Sequence, residues 1–191
     1  MTPFSTPQHE TSDLFVPQRR GLIKGAGMLS AGALLMLAGA PTRAQGMGAN
    51  SESDARILNV ALALEHEAIN AYQLGAESGL LQKPVLALAV RFQSDHKAHR
   101  DALVATIDKL GGKPAPALTL QEYAKALDAA KLKSQNDVLD LAARLELGAT
   151  NAYLGVIPAF KDTQLAKVAG RVACDETLHW TLLNNALGRP L

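Results

Sequence analysis

The sequence predicts an all-α protein whose folded part is an antiparallel four-helix bundle. Apolar residues recur at steps of three and four along four long segments, which is typical of amphipathic helices. Only 4% of the residues are aromatic although 48% are hydrophobic, so the core must consist mainly of Leu, Ala and Val. Such a core suits closely packed helices better than a sheet. The four segments also form two similar pairs, which predicts a bundle of two repeated helix pairs.

The N-terminal residues have the layout of a signal peptide. Residues 1–18 are polar and contain three prolines, which indicates a disordered leader. Arg19 and Arg20 then precede an uncharged run rich in Gly, Ala and Leu, and a small-x-small cleavage site ends at Ala44. The run of ~16 residues is too short and too weakly apolar for a membrane span. The predicted division is a signal peptide at 1–44, a linker at 45–53 and the bundle at 54–188.

The paired arginines resemble a twin-arginine (Tat) signal, in which two arginines precede a short hydrophobic pair and a lysine. Gln18 departs from this pattern, since Ser or Thr is more usual there. The resemblance implies the Tat translocation machinery as a partner, a periplasmic or otherwise exported location, and no stable membrane anchor after cleavage. It also implies that the protein folds before export, often with a metal or cofactor. A Sec signal and an uncleaved N-terminal anchor are the alternatives.

Charge and cysteine content exclude other classes of protein. Residues 1–44 hold four of the 19 basic and two of the 18 acidic residues, which leaves 15 basic and 16 acidic residues in the mature chain. A domain with so little net charge is not expected to bind nucleic acid. The single cysteine, Cys174, excludes an internal disulfide and a paired-thiolate metal site.

Four long helices and one short helix in the crossover between the pairs are predicted. Pro84 suits the first turn of the second helix, and Gly111 and Gly112 end it. The inner face of the fourth helix is expected to contain Val168. The predicted long helices run from about Asp54 to Glu77, Pro84 to Leu110, Asn136 to Ile157 and Thr163 to Leu187, with the crossover helix from about Thr119 to Leu132.

The helix pairs repeat at offsets of 81 residues for the first and third helices and 80 for the second and fourth. The matches include polar residues: Glu65/Glu146, Asn70/Asn151, Tyr72/Tyr153, Asp95/Asp175 and His99/His179. With a rise of ~1.5 Å per residue, Glu65 and His96 both lie ~18 Å from the turn that joins their helices. The second pair is arranged similarly. All four helices therefore bring polar residues to one level of an otherwise apolar core.

This polar layer predicts a metal site. An isolated carboxylate in an apolar core costs many kcal/mol, so several at one level need a common partner. A pair of divalent metal ions would supply it. The predicted ligands are Glu65, His96, His99, Glu146, Glu176 and His179.

The pattern resembles the ferritin-like di-iron carboxylate family, in which two helices give one Glu each and two give Glu-x-x-His. Glu65 and Glu146 correspond to the single glutamates, and Glu176-Thr177-Leu178-His179 to one Glu-x-x-His motif. The resemblance implies iron, as a di-iron centre, with manganese or zinc as alternatives. It also implies that Asp175 orients a histidine across the bundle. It covers residues 54–188, nearly the whole mature chain.

The second helix departs from the family pattern, because His96 stands where a bridging glutamate is expected. Three glutamates contribute −3 against the +4 of two divalent ions. A neutral imidazole cannot bridge two metals as a carboxylate does. The site is therefore expected to be an asymmetric dinuclear centre, a mononuclear centre, or a site that has lost its metal.

Other polar residues near the layer are assigned no role in it. Tyr72 and Tyr153 are interpreted as core packing, with support of a ligand or a radical role as the alternative, and His66 and Glu67 as solvated residues off the inner face. No large apolar surface is expected outside the repeated faces.

Two functions are compatible with these residues. The first is an exported metal protein with oxidase, peroxidase or iron-handling activity. The second is a non-enzymatic protective or scaffold protein with a degenerate metal site. One fold hosts many functions, so the family resemblance does not choose between them. No residue is assigned a catalytic role, and the oligomeric state is not predicted.

Overall fold

The computed structural model describes residues 48–190 as a helical bundle, with no strand in that range. Its helices are α1 (Ala49–Glu77), α2 (Lys83–Lys109), α3 (Leu120–Ala126), α4 (Gln135–Val156) and α5 (Thr163–Ala186), with 3-10 turns at Ala129–Lys131 and Ile157–Ala159. α1 packs mainly against α2, and α4 mainly against α5, so the two predicted pairs are present. The all-α bundle fold is confirmed. The predicted signal peptide, residues 1–44, lies outside the described residues.

Two helix boundaries differ from the prediction. α1 begins at Ala49, so most of the segment predicted as linker is helical. α3 ends at Ala126 because Asp128 adopts a left-handed conformation with φ 53°, which a helix cannot contain. Thr119 fixes the other end of α3 through a capping box with Glu122. The crossover helix is therefore shorter than predicted.

Two side chains near the start of α1 bind the backbone of connecting segments elsewhere in the chain. The buried Asp54 carboxylate accepts hydrogen bonds from the backbone N–H groups of Lys161 and Asp162, at 2.9 and 3.0 Å. The Asn59 side chain donates to the Lys113 carbonyl and accepts from the Ala115 N–H. These contacts fix α1 against the α4–α5 connection and the start of the crossover.

The apolar core has two clusters, one on each side of the predicted polar layer. The first contains Leu58, Leu62, Leu103, Ile107 and Val172, and the second contains Phe92, Leu139, Ala143 and Leu183. The expectation for Val168 is wrong: it is 47% exposed, whereas Ala169 is 4% exposed. A helix turns about 100° per residue, so this error of one position moves a side chain from the core to the surface.

Several large apolar side chains of α4 and α5 are exposed. Four leucines of α4 and α5 are between 43% and 59% exposed: Leu147, Leu154, Leu178 and Leu182. The prediction that no large apolar surface lies outside the repeated faces stays a prediction, since exposure of single leucines does not define such a surface. Between residues 48 and 190, none of the helices combines the length and the apolar character needed to cross a membrane.

Candidate metal centre

The structure brings all six predicted ligands together between the two apolar clusters. Their ligand atoms form two groups, each with all atoms within 4.8 Å of one another. One group is Glu65, His96, His99 and Glu176, and the other is His96, Glu146, Glu176 and His179. The three glutamates and His96 are at most 2% exposed. His96 and Glu176, which occupy equivalent positions in the repeat, belong to both groups.

His96 lies between the two halves of the site. Its Nδ1 atom is 2.8 Å from Oε2 of Glu65, and its Nε2 atom is 3.1 Å from Oε1 of Glu146. Nε2 is also 3.7 Å from Oε2 of Glu176. The ring therefore contacts a carboxylate of each helix pair, where the family pattern would place another carboxylate.

The other two histidines each face an aspartate across the bundle. The Nε2 atom of His99 lies 3.4 Å from Asp175, and that of His179 lies 3.6 Å from Asp95. These contacts favour a proton on Nε2, which leaves the lone pair on Nδ1. Nδ1 of His99 then faces Oε1 of Glu176 at 3.2 Å. Both rings thus direct a potential ligand atom towards the carboxylates.

Each buried tyrosine supports the glutamate of the other helix pair. The Tyr72 hydroxyl donates a hydrogen bond of 2.5 Å to Oε1 of Glu146, and the Tyr153 hydroxyl donates to Oε1 of Glu65. Both tyrosines pack in the apolar clusters, as predicted, and each also holds a glutamate of the site, which is the alternative role. Their recurrence seven residues after each repeated glutamate was the available indication, since a buried phenol needs a hydrogen-bond partner.

The site contains most of the unsatisfied polar atoms of residues 48–190. Six buried side-chain atoms there have no hydrogen-bond partner, and five belong to the site: Nδ1 of His99 and His179, Oε2 of Glu146 and both oxygens of Glu176. Lone pairs that face one another in a buried space repel unless a cation or a proton lies between them. Mixed imidazole and carboxylate donors suit iron, manganese and zinc. The residues present therefore fit a transition metal.

Protons compensate the carboxylates when no metal is bound. Burial lowers the pKa of His96, but hydrogen bonds to Glu146 and Glu65 outweigh burial and raise it well above its usual value. Burial lowers the pKa of His99 and of His179, but the nearby glutamate carboxylates outweigh burial and raise the pKa of His99 to about 10 and that of His179 to about 9. Metal binding at this site therefore competes with protonation of the imidazoles.

Glu67 and His66 are not the solvated residues that the helical phase of α1 predicts. Glu67 is 5% exposed, and His66 is partly buried with Nε2 3.3 Å from the Ala115 carbonyl oxygen. The crossover explains the difference, because α3 packs against α1. Burial raises the pKa of Tyr123 on α3, and the charge of Glu67 raises it further. The expectation for both residues is wrong.

Two small cavities adjoin Glu146. One, of about 30 Å³, is lined by apolar side chains of all four long helices together with Tyr72 and Glu146. The other, of about 20 Å³, is bounded by Glu67, His96 and Glu146 and by apolar side chains of α1 and α4. Both cavities are lined mainly by apolar side chains, and both border Glu146.

These features define the class of protein: a helical bundle with a buried candidate metal centre of three carboxylates and three imidazoles. The family model for the ferritin-like domain matches residues 53–189. The chain belongs to this family.

Among solved structures, the chain is similar to the crystal structure of the conserved hypothetical protein rv2844 from Mycobacterium tuberculosis. The TM-score is 0.61 at 24% sequence identity, over 75% of this chain and 96% of that chain. At this identity the likeness shows the fold alone. No curated protein matches the sequence.

Proposed function

We propose that this protein is an exported ferritin-like protein that binds one or two transition-metal ions, iron above all, in the bundle core. The five unsatisfied buried ligand atoms are the observation that carries the proposal. Glu65 and His99 would hold a metal on one side, and Glu146 and His179 on the other. Glu176 would serve both sides, because it belongs to both groups.

The proposed activity is that of an oxidase, a peroxidase or an iron-handling protein. Iron bound here would supply redox chemistry towards dioxygen or peroxide. The chain's own contribution is to position the ligands: Tyr72 orients Glu146, and Asp175 orients His99. The apolar clusters exclude bulk water. The apolar cavity beside Glu146 is of a size that suits a small apolar molecule such as dioxygen.

Metal analysis tests the binding proposal. The protein purified from its export compartment is expected to contain one or two equivalents of iron per chain by mass spectrometry. Glu146→Ala should lower this content, because Glu146 is a buried ligand, whereas Glu77→Ala, at the exposed end of α1, should not. Absence of metal, both as purified and after anaerobic Fe²⁺ addition, would contradict the proposal.

One observation favours the alternative of a non-enzymatic protein with a degenerate site. The His96 ring lies within hydrogen-bonding distance of both Glu65 and Glu146, so a protonated ring satisfies part of the site without metal. A chain that binds no metal in the experiment above would support a protective or scaffold role instead.

Export through the Tat pathway is the second part of the proposal, and the arginine pair at 19–20 supports it. Changing Arg19 and Arg20 together to Lys is expected to leave the precursor, leader intact, in the cytoplasm. Cell fractionation with mass determination measures this. Arg43→Lys, a basic change outside the pair, should not reduce export. Normal export of the double variant would show that the Tat assignment is wrong.

A further inference from the structure

The outward face of α4 carries no charged side chain beyond Arg144. From residue 145 to residue 160 the sequence contains one charged residue, Glu146, which is 2% exposed and belongs to the candidate metal centre. The exposed residues of α4 in this stretch follow one another at helical spacing and so form a single stripe. This stripe is called the uncharged face of α4 and consists of Leu147, Gly148, Asn151, Leu154 and Gly155.

The uncharged face alternates projecting side chains with gaps. Leu147 and Leu154 are 43% and 52% exposed. Each is followed by a glycine, and a Cβ atom added at Gly148 or Gly155 would meet no neighbouring atom within 4 Å. A second segment can therefore approach the backbone of α4 closely at the glycines while its side chains contact the leucines.

The exposed leucines of α5 have charged neighbours instead. Leu178 lies three residues after Asp175 and seven after Arg171, so all three share one side of the helix, and both charged residues are exposed. An uncharged segment that packed there would cover ionised groups, which costs free energy. Packing on the uncharged face of α4 carries no such penalty.

The internal repeat shows that the equivalent face is covered in the first helix pair. At the offset of 81 residues, residues 147–155 of α4 correspond to residues 66–74 of α1. None of residues 66–74 is exposed, and the crossover helix α3 packs against α1. In the second pair, the described residues leave the equivalent stripe exposed. The position that a connecting segment covers on α1 is therefore open on α4.

The chain itself contains a segment that matches the uncharged face in composition and length. Residues 25–40 are sixteen uncharged residues, mostly Gly, Ala and Leu. As a helix they would be ~24 Å long, which equals the length of sixteen helical residues of α4. Their many small side chains suit close approach to the glycines of α4.

The point at which the chain enters the bundle places this segment within reach of α4. α1 begins at Ala49, and the Asp54 carboxylate accepts hydrogen bonds from the backbone N–H groups of Lys161 and Asp162, just after α4. The start of α1 therefore lies beside the C-terminal end of α4. The nine residues that follow residue 40 can span up to ~30 Å. This is enough to lead from α1 around the end of α4 to its outward face.

We propose that residues 25–40 dock on the uncharged face of α4 as long as the N-terminal segment is uncleaved. Docking removes the uncharged run from water and covers the two leucines. Because the face exists only once α4 has formed and packed, the run is covered only in a folded bundle. Cleavage after Ala44 would remove the run and leave the face exposed. The inference goes beyond metal binding and depends on the uncharged run, not on the export route.

Methionine oxidation tests the docking because the sequence has two methionines inside the run and two outside it. Full-length protein, made by cell-free synthesis so that its N-terminal segment stays intact, is treated with dilute hydrogen peroxide. Peptide mass spectrometry then gives the oxidation rate of each methionine. Met28 and Met36, inside the run, are expected to oxidise about fivefold or more slowly than Met1 and Met47, because a docked thioether is shielded from peroxide.

Two matched variants locate the docking site. Leu147→Lys combined with Leu154→Lys places two charges on the uncharged face and should make all four methionines oxidise at the same rate. Leu178→Lys combined with Leu182→Lys places the same charges on α5 and should keep the difference in rate. All four leucines are exposed, so both variants should fold, and the melting temperature of each checks this. Should the α4 variant not fold, Asn151→Arg, one charge at the centre of the face, takes its place.

Three results would overturn the inference. Equal oxidation of all four methionines in the wild type would show that the run is not covered. Slow oxidation of Met28 and Met36 that persists in the α4 variant, or that is lost equally in the α5 variant, would show that the run does not bind the uncharged face. Shielding that disappears on dilution, together with a dimer in analytical ultracentrifugation, would mean that a second copy of the chain covers the run.

Discussion

Replacing Glu176 with glutamine is expected to abolish metal binding in both halves of the centre. Glu176 is fully buried, belongs to both groups of potential ligands, and has two oxygens without hydrogen-bond partners. Loss of one residue that merely orients a ligand typically costs 10–100-fold in metal affinity, so loss of a shared ligand should cost more than about 100-fold. Co²⁺ titration of the metal-free variant measures the effect.

Asp175→Asn provides a graded comparison at the adjacent position. Asp175 contacts the Nε2 atom of His99 rather than the interior of the site, so its loss should weaken binding by only about tenfold. Wild-type affinity in Glu176→Gln would exclude Glu176 from the ligands.

The level of the site could be predicted from the sequence because helical rise converts residue spacing into height along the bundle. Once Pro84 and Thr163 place the starts of the second helix of each pair, Glu65 and His96 must lie at similar heights. Because the second pair repeats the first, the same spacing predicts that Glu146 and Glu176 lie at this height as well. The convergence of the six side chains follows from the same geometry.

Contacts that depend on packing between distant segments could not be predicted in this way. The hydroxyl of Tyr72 reaches a glutamate 74 residues away in the other pair, and nothing in α1 itself indicates that partner. Glu67 is off the inner face of α1, where the crossover helix α3 packs, and its charge acts on Tyr123 of that helix. Helical periodicity identifies the one face of a helix that packs in the core. It does not show that another face of α1, which carries Glu67, is covered by the crossover helix.

The prediction for Val168 is wrong for a different reason, although Val172 and Leu183 of the same predicted face of α5 are buried. Val168 and Ala169 are adjacent, and hydrophobicity alone favours valine for the core. The structure buries Ala169 because the steps from Leu165 to Ala169 and Val172 follow the helical period. A small residue in this position also permits close packing of the helices, which the Ala-rich composition already indicated.

His96→Glu is expected to raise metal occupancy towards two ions per chain and to destabilise the metal-free protein. The new glutamate would precede His99 by three residues and so match the arrangement of Glu176 and His179. It would also replace an imidazole that now contacts Glu65 and Glu146 with a carboxylate at the centre of both groups. Ionised carboxylates would then contribute −4, which balances two divalent ions.

The metal-free variant is expected to be less stable because it lacks the protonated imidazole of His96. In the wild type, Glu146 and Glu65 raise the pKa of His96 above its unfolded value despite burial, so its contribution to stability is present at low pH and is lost as the pH rises through the raised pKa. In the variant, neighbouring carboxylates raise the pKa of the new glutamate, and its charged form opposes folding at neutral pH. The variant also removes the imidazole that now contacts Glu65 and Glu146. Loss of such a partner from a buried charged pair lowers the free energy of unfolding by about 3 kcal/mol.

Metal content and melting temperature, each with and without chelator, test both parts of this prediction. With chelator at neutral pH, His96→Glu should melt below the wild type, and lowering the pH towards 5 should reduce the difference because the added carboxylate takes up its proton. With Fe²⁺ or Co²⁺, the order should reverse. His66→Glu makes the same substitution at a partly buried histidine outside the site and should leave metal content unchanged. If His96→Glu binds no more metal and its metal-free form melts no lower, His96 does not occupy the bridging position. In that case the centre would be a mononuclear site on one side of the bundle, or no metal site at all.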